Sequence, residues 1–307
     1  MPLADPTVHF FPVADYDLEA TLESGQAFRW VRAQGFWTSV IQGRWVALKQ
    51  TASGIEALTA EPQSDWLWLE DYLQINLNLN SIMASFPQDA PMATATHACR
   101  GLRLLRQDPW ECLASFILSS TKQIVQIRQI VALLCEKFGE PLKVLPGHER
   151  AFSFPTAEKL ARATEAELRI CKMGFRAPYL LGTAREIVEG RFSPAALRGL
   201  PVEISREKLM ALPGVGRKVA DCVLLFAYGY QEAFPVDVWV IKALRQLYFP
   251  RRNPSLKRLH RFSATHFGPW AGYAQQYLFH YMRTKVGRKT TVKSTPAKPR
   301  VRKRNAR

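Results

Sequence analysis

From Phe28 the chain alternates apolar and polar residues over three short runs, Phe28 to Arg32, Phe36 to Ile41 and Trp45 to Lys49, with Gly35 and Gly43 between them. This period of two, punctuated by glycine, predicts an antiparallel meander. Trp30, Trp37 and Trp45 are expected to form an aromatic face in its core. Residues 1–9 hold two prolines and little pattern, and are expected to be an irregular arm. From Ser64 to Phe86 the period becomes helical, with Trp66, Leu67, Leu69, Tyr72 and Leu73, until the prolines at 87 and 91 interrupt it. A domain boundary is expected near Ala95–Arg100. Helical spacing then dominates: Glu111 to Ser120, Ile124 to Phe138, two short helices within Thr156 to Lys172, Pro178 to Glu189, Ser205 to Met210, and Val219 to Tyr228. The pattern therefore predicts an α+β chain with an N-terminal antiparallel β domain (1–98), an all-α domain (99–282) and a tail (283–307).

Charge changes the picture at one end. The 307 residues carry 42 Lys and Arg against 26 Asp and Glu, a formal net charge of +16. Residues 283–307 account for 11 of the basic residues and hold no acid. That segment lacks the apolar content to fold and suits a loose, salt-dependent hold on a polyanion. Lys298 to Arg307 also resembles a nuclear address. Arg245, Arg251, Arg252, Lys257, Arg258 and Arg261 are scattered, and read as a solvated face rather than a groove. Five widely spaced cysteines without a CxxC argue against a disulfide framework or zinc site and for reduced thiols inside a cell. No apolar run is long enough to span a bilayer, and no signal peptide pattern opens the chain. The expectation is an intracellular monomer found with DNA, in the nucleus if eukaryotic and in the cytoplasm or nucleoid if bacterial.

Chemistry gathers around Leu212-Pro213-Gly214-Val215-Gly216-Arg217-Lys218-Val219-Ala220-Asp221-Cys222. A short helix, a hairpin with two glycines and an apolar helix form a helix-hairpin-helix. The N–H groups opening the second helix lack intrahelical partners and face outward with the positive end of its dipole, which suits a phosphate. Gly214, Val215 and Gly216 are thus candidate DNA-backbone contacts. Lys218 falls in the first turn of that helix, and Cys222 shares its face four residues on. Phe234-Pro235-Val236-Asp237-Val238-Trp239 then places an acid before an apolar helical run. Asp237 is at once a natural helix N-cap and a candidate carboxylate partner for an amine nucleophile, Lys218.

These blocks resemble the helix-hairpin-helix glycosylases with a Gly/Pro…Asp loop, and most closely the 8-oxoguanine DNA glycosylase family. The resemblance continues in Ser24-Gly25-Gln26-Ala27-Phe28-Arg29-Trp30, in Gly101-Leu102-Arg103-Leu104-Leu105-Arg106-Gln107-Asp108-Pro109, in Gly174-Phe175-Arg176-Ala177, and in Ala274-Gln275-Gln276-Tyr277-Leu278-Phe279. It spans about Phe10 to Met282. It implies a bifunctional glycosylase/AP lyase in base excision repair, acting on duplex DNA that contains oxidised guanine. Lys218 would be the nucleophile and Asp237 its carboxylate. The carbonyl of Gly25 would accept from the N7–H that only the oxidised base carries. Cys222 and Phe279 would sandwich the flipped base, and Gln275 would bond its Watson–Crick edge. Arg176 would read the opposite cytosine, with Phe175 as a wedge. No organic cofactor is implied. A structural cation on hairpin carbonyls is a family feature that sequence does not reveal, and no metal ligand is assigned.

The chain also departs from the family. The Asn and Arg that the family places around the opposite cytosine fall here on Thr121 and Gln126, and loss of a guanidinium removes a bidentate donor. Weaker preference for cytosine opposite the lesion is therefore expected, with Lys122 compensating through phosphate. The family's phosphate-contacting His is Trp239 and its acidic partner is Met282, so that polar contact is replaced as a unit. No iron–sulfur ligand cluster follows the hairpin motif, which argues against the endonuclease-III-like branch. Two other readings stand beside the main one. A monofunctional alkylbase glycosylase would use Asp237 and water, and a non-catalytic DNA-binding module would use the hairpin and tail alone. Only the lysine mechanism leaves an adduct that borohydride can trap.

Overall fold

A computed structural model of the chain describes residues 6–120 and 122–286. Its N-terminal sheet has five antiparallel strands, β1 (Thr7–Pro12), β2 (Val31–Ala33), β3 (Phe36–Ile41), β4 (Arg44–Gln50) and β5 (Gly54–Thr59), in the order β1-β5-β4-β3-β2. The arm expected over residues 1–9 is thus in part an edge strand, paired from Thr7↔Thr59 to Pro12↔Gly54. Of β1 only Phe11 is buried, and the strand ends on proline, so its alternation was too brief to register. Phe28 to Trp30 precede β2 rather than form it. The tryptophans also divide between faces. Trp37 pairs with Leu48 and Val40 with Trp45, and because 37 and 40 differ in parity along β3, Trp37 and Trp45 fall on opposite sides. Trp37, Val46, Leu48 and Ile55 pack with Trp30 against Leu18 and Leu22 of α1 (Leu18–Glu23) and Leu69 and Leu73 of α2 (Leu67–Leu73). Val40, Trp45 and Ala47 line the other face, beneath a ribbon of β6 (Pro141–Leu142) and β7 (Ala151–Phe152).

The remaining helices are α3 (Leu79–Ala84), α4 (Ala90–Ala98), α5 (Pro109–Leu118), α6 (Ile124–Phe138), α7 (Ala157–Ala161), α8 (Glu165–Ile170), α9 (Ala177–Val188), α10 (Val202–Met210), α11 (Arg217–Val223), α12 (Val238–Ala243), α13 (Leu256–His266) and α14 (Ala271–Tyr281). Proline marks two starts rather than breaks. Pro91 sits in the first turn of α4 behind the N-cap Asp89, and Pro109 opens α5 behind Asp108, where the missing N–H has no intrahelical acceptor to lose. Leu113, Phe116, Ile130, Leu134, Leu180, Ala220, Val223 and Leu278 share one core, so α5, α6, α9, α11 and α14 pack as a single body. α11, α12 and α14 each widen into a π turn, at Leu224–Tyr228, Leu244–Tyr248 and Met282–Val286. The tail expected from residue 283 therefore begins with helix, and 287–307 lie outside the described residues.

The two halves are sewn together at Gln26. This fully buried side chain donates to the carbonyl of Arg103 at 2.8 Å and accepts from the N–H of Leu105 at 2.7 Å. Gln107 completes the seam, its side chain donating to the Gln26 carbonyl at 2.7 Å and its N–H to the Phe226 carbonyl at 2.8 Å. The segment after α4 thus runs beside Ser24 to Arg29. A second tie is the ion pair of Arg29 with Glu111 of α5, at 3.3 Å.

Candidate active site

α10 and α11 flank the hairpin as the sequence predicts. Gly214 turns it at φ +75°, with Tyr179 so close that an added Cβ would stand 2.7 Å from the tyrosine Cβ. Val215 is buried and donates its N–H to the Leu212 carbonyl, so it anchors the turn inward. Gly216 is the N-cap of α11 and contributes no side-chain cap, which leaves the first N–H groups of the helix facing out. Behind the hairpin, Arg206 of α10 binds Asp221 of α11 at 2.6 Å, with side chains only 5% and 2% exposed. Arg217 approaches the same carboxylate at 3.8 Å.

Lys218, half-buried, points its amine back toward the C-terminus of α5. Nζ donates to Ser119 Oγ at 3.1 Å and lies 5.1 Å from the centre of the Phe116 ring. The Ser119 hydroxyl itself donates to the Phe116 carbonyl at 2.7 Å, so its proton is committed and its lone pairs are left to hold the amine. The sequence reading passed over Ser119; its only signal was the Ser-Ser pair ending an apolar helix. Cys222 is buried beside Lys218. Burial pushes its thiol up to about 12, against the opposing pull of the lysine charge.

Asp237 caps α12, accepting from the N–H groups of Trp239 at 3.0 Å and Val240 at 2.8 Å. Burial raises its carboxyl above the ordinary value of 3.8, while the Val240 N–H, the Lys218 charge, the Trp239 N–H and the Arg283 charge oppose the rise. The arginine's guanidinium carbon lies 5.7 Å from the Phe279 ring centre. Lys218, Cys222, Asp237 and Phe279 are thereby linked through one neighbourhood.

Gly25 enters it from the N-terminal half. Its φ of +78° is left-handed, and a Cβ would stand 2.7 Å from Ile124 Cδ1 and 3.5 Å from Phe279 Cε1. Neighbours fix the peptide on both sides. The Ser24 carbonyl accepts from Gln276 Nε2 of α14 at 3.0 Å, and Gln26 is held by the seam. Gly25→Ala is expected to cost about 1–2 kcal/mol from the left-handed backbone alone, measurable by urea unfolding. Gln275 is 3% exposed, and its Oε1 has no hydrogen-bond partner among the described residues. A buried acceptor left unmatched is costly unless something else binds it.

The residues assigned to the opposite base are not all gathered there. Phe175 is 54% exposed, as a wedge requires. Arg176, by contrast, is 1% exposed and turned inward. Its guanidinium donates to the carbonyls of Ser120 and Met173 and lies 4.2 Å from the Phe175 ring centre. Its side chain must swing out before it reaches an opposing base. Lys122 is half-buried beside α6, and Thr121 lies outside the described residues. Gln126 is spent on a capping box with Gln123 at the start of α6. Met282 is fully buried, and Trp239 is partly buried against the same apolar core. No group of three or more His, Cys, Asp or Glu that could hold a metal ion occurs among the described residues, and none of their helices is long and apolar enough to cross a membrane.

Comparison with known proteins accords with this geometry. Residues 9–113 match the family described as 8-oxoguanine DNA glycosylase, N-terminal domain, and residues 114–267 match the HhH-GPD superfamily of base excision DNA repair proteins. A probable N-glycosylase/DNA lyase of Methanothermobacter thermautotrophicus is 30% identical over 298 residues, covering 89% of this chain and 95% of its own. The N-glycosylase/DNA lyase OGG1 of Arabidopsis thaliana is 32% identical over 295 residues, covering 89% and 80%. The solved structure of Clostridium acetobutylicum 8-oxoguanine glycosylase/lyase, in complex with duplex DNA containing cytosine opposite 8-oxoguanine, superimposes with a TM-score of 0.84 at 30% identity, covering 91% of this chain and 98% of that one. With its sheet domain and its helix-hairpin-helix domain both matched in order, the chain belongs to the 8-oxoguanine DNA glycosylase family, within the HhH-GPD superfamily.

Proposed function

We propose that the chain excises 8-oxoguanine from duplex DNA as a bifunctional glycosylase/AP lyase, with Lys218 as the nucleophile. The observation that carries this is the placement of the Lys218 amine, held by Ser119 beside Cys222 and within charge range of Asp237. The hairpin N–H groups of α11 grip the backbone, and the damaged nucleotide leaves the stack to enter the site. The base lies between Cys222 and Phe279. Its N7–H meets the Gly25 carbonyl, and the unmatched Gln275 Oε1 accepts from its Watson–Crick edge. Guanine offers only a lone pair at N7, so two acceptors would face each other, which is how a single carbonyl rejects the normal base.

Lys218 Nζ then forms a bond to C1′ as the C1′–N9 bond breaks, the electron pair leaving with the base, which takes up a proton. Asp237 stabilises the positive charge that builds on the sugar. Opening of the C1′–O4′ bond gives a Schiff base between Nζ and C1′. Loss of a C2′ proton and departure of the 3′ phosphate complete β-elimination. All these groups lie on one chain, which supports action as a monomer. A duplex bearing one 8-oxoguanine tests the reading: base release with a covalent complex after borohydride supports it, and base release with no such complex overturns the lysine mechanism.

Asp237→Asn separates capping from charge. Asn caps as well as Asp, so the helix start is retained. Because the carboxyl is raised in the fold, the folded chain binds that proton more tightly than the unfolded chain. Its ionisation therefore lowers stability as pH rises from the unfolded value through the folded one. The variant is expected to melt at the same temperature or higher at neutral pH, while single-turnover base release falls by about 10²-fold or more. The parent rate is expected to fall on acidification at a pH above 3.8, and the variant is expected to lack that limb.

A further inference from the structure

The net positive charge of this chain comes from its C-terminal part. Residues 1–237 carry 24 Lys and Arg against all 26 acids, and after Asp237 come 18 Lys and Arg with no Asp or Glu. Elsewhere on the surface cations are interleaved with acids: Arg169 pairs with Glu165, Arg191 with Glu186 and Glu189, Arg100 with Asp15, and Lys159 with Glu140. α13 is different. At 100° per residue, Lys257, Arg258 and Arg261 fall within one exposed face, while Leu259 and Ser263 are buried on the other. Arg251 and Arg252, just before the helix, are also exposed. None of these five side chains has an ion-pair partner among the described residues.

α13 is also electrostatically coupled to the two helices of the hairpin. Burial holds the His260 imidazole below its ordinary value, and the charges of Arg217 and Arg206 push the same way. Arg217 is the first residue of α11, about half exposed, directly after the backbone-gripping turn. The charges at the hairpin are thus felt at α13, whose exposed face carries Lys257, Arg258 and Arg261. Like charges gathered without counter-charge repel one another, and a bound polyanion relieves that repulsion. At about 1.5 Å per residue α13 is roughly 16 Å long, matching about half a turn of duplex.

We propose that the exposed face of α13 is a second duplex-binding surface, on which Lys257, Arg258 and Arg261 hold phosphates flanking the stretch gripped by the hairpin. The surface reads no sequence; it lengthens the footprint and supplies salt-dependent affinity for undamaged DNA. This rests on the reading of the chain as an enzyme of duplex DNA, which base release by the parent protein tests separately.

The test measures binding of the full chain to an undamaged duplex of about 30 base pairs across roughly 0.05–0.3 M KCl. The parent is compared with the triple variant Lys257→Gln, Arg258→Gln, Arg261→Gln and with the charge-keeping triple Lys257→Arg, Arg258→Lys, Arg261→Lys. At about 0.9 counterions released per phosphate contact, neutralisation is expected to lower the slope of log K against log salt by about 2–3 and to weaken low-salt binding at least tenfold. The charge-keeping triple is expected to retain the parent slope. An unchanged slope in the neutralised variant overturns the proposal, as does an equal loss in both triples. The tail is present in all three proteins and cancels in the comparison.

Discussion

Lys218→Ala is expected to reduce release of 8-oxoguanine by roughly 10³-fold or more and to abolish the borohydride-trapped complex. Binding to the duplex is expected to survive within about tenfold, because the hairpin grips through main-chain N–H groups that the substitution leaves in place. Single-turnover excision and fluorescence anisotropy on the same preparation separate the two effects. Structural damage should be modest. The lost bond is one hydrogen bond to Ser119, worth about 1 kcal/mol, and Ser119 keeps its donation to the Phe116 carbonyl. A variant that still releases base at the parent rate would remove the lysine from the mechanism.

Asp221→Ala is expected to cost about 1.5–3 kcal/mol of unfolding free energy, the loss of one buried, charge-assisted hydrogen bond. It takes one of two acids from the Arg206 guanidinium, which is 5% exposed, and leaves Glu203 of its own helix as the remaining partner. The hairpin would lose its brace, and DNA affinity would fall with stability. The double variant Arg206→Met, Asp221→Leu is expected to recover most of the loss, since a well-packed apolar pair avoids desolvating two charges. Urea unfolding of the parent, the single and the double variant checks both statements. A single variant within 1 kcal/mol of the parent would mean that the pair contributes nothing to holding α10 against α11.

The features legible in the sequence were those carried by short-range pattern. Ile124 to Phe138 is one helix with the expected bounds, because fifteen residues keep an unbroken helical period. The hairpin was legible because Pro213 and the left-handed Gly214 make a turn signal just before the N-cap Gly216 of an apolar helix. Gly25, Cys222, Asp237 and Phe279 came from order and identity within matched blocks, and the fold gathers them with Lys218. Features that depend on distant partners were not legible. β1 exists because β5 is there to pair with it. Trp37 and Trp45 separate only once their register is fixed. Ser119 stands 99 residues from the lysine it holds. The resemblance sets Arg176 at the opposite cytosine, and its inward turn toward the Ser120 carbonyl appears only in the fold.

The suspension of Gly25 between Gln26 and Gln276 has a consequence for how such an enzyme can be rebuilt. The group that would choose the lesion belongs to the sheet half, whereas the amine that would cut belongs to the helical half, and the Gly25 peptide is held in place by hydrogen bonds to the helical half. A chimera joining the first half of one relative to the second half of another would have to carry over the glutamine seam as well. Without it, selection and cleavage would come apart, leaving a catalyst with a competent blade and no judgement about where to use it.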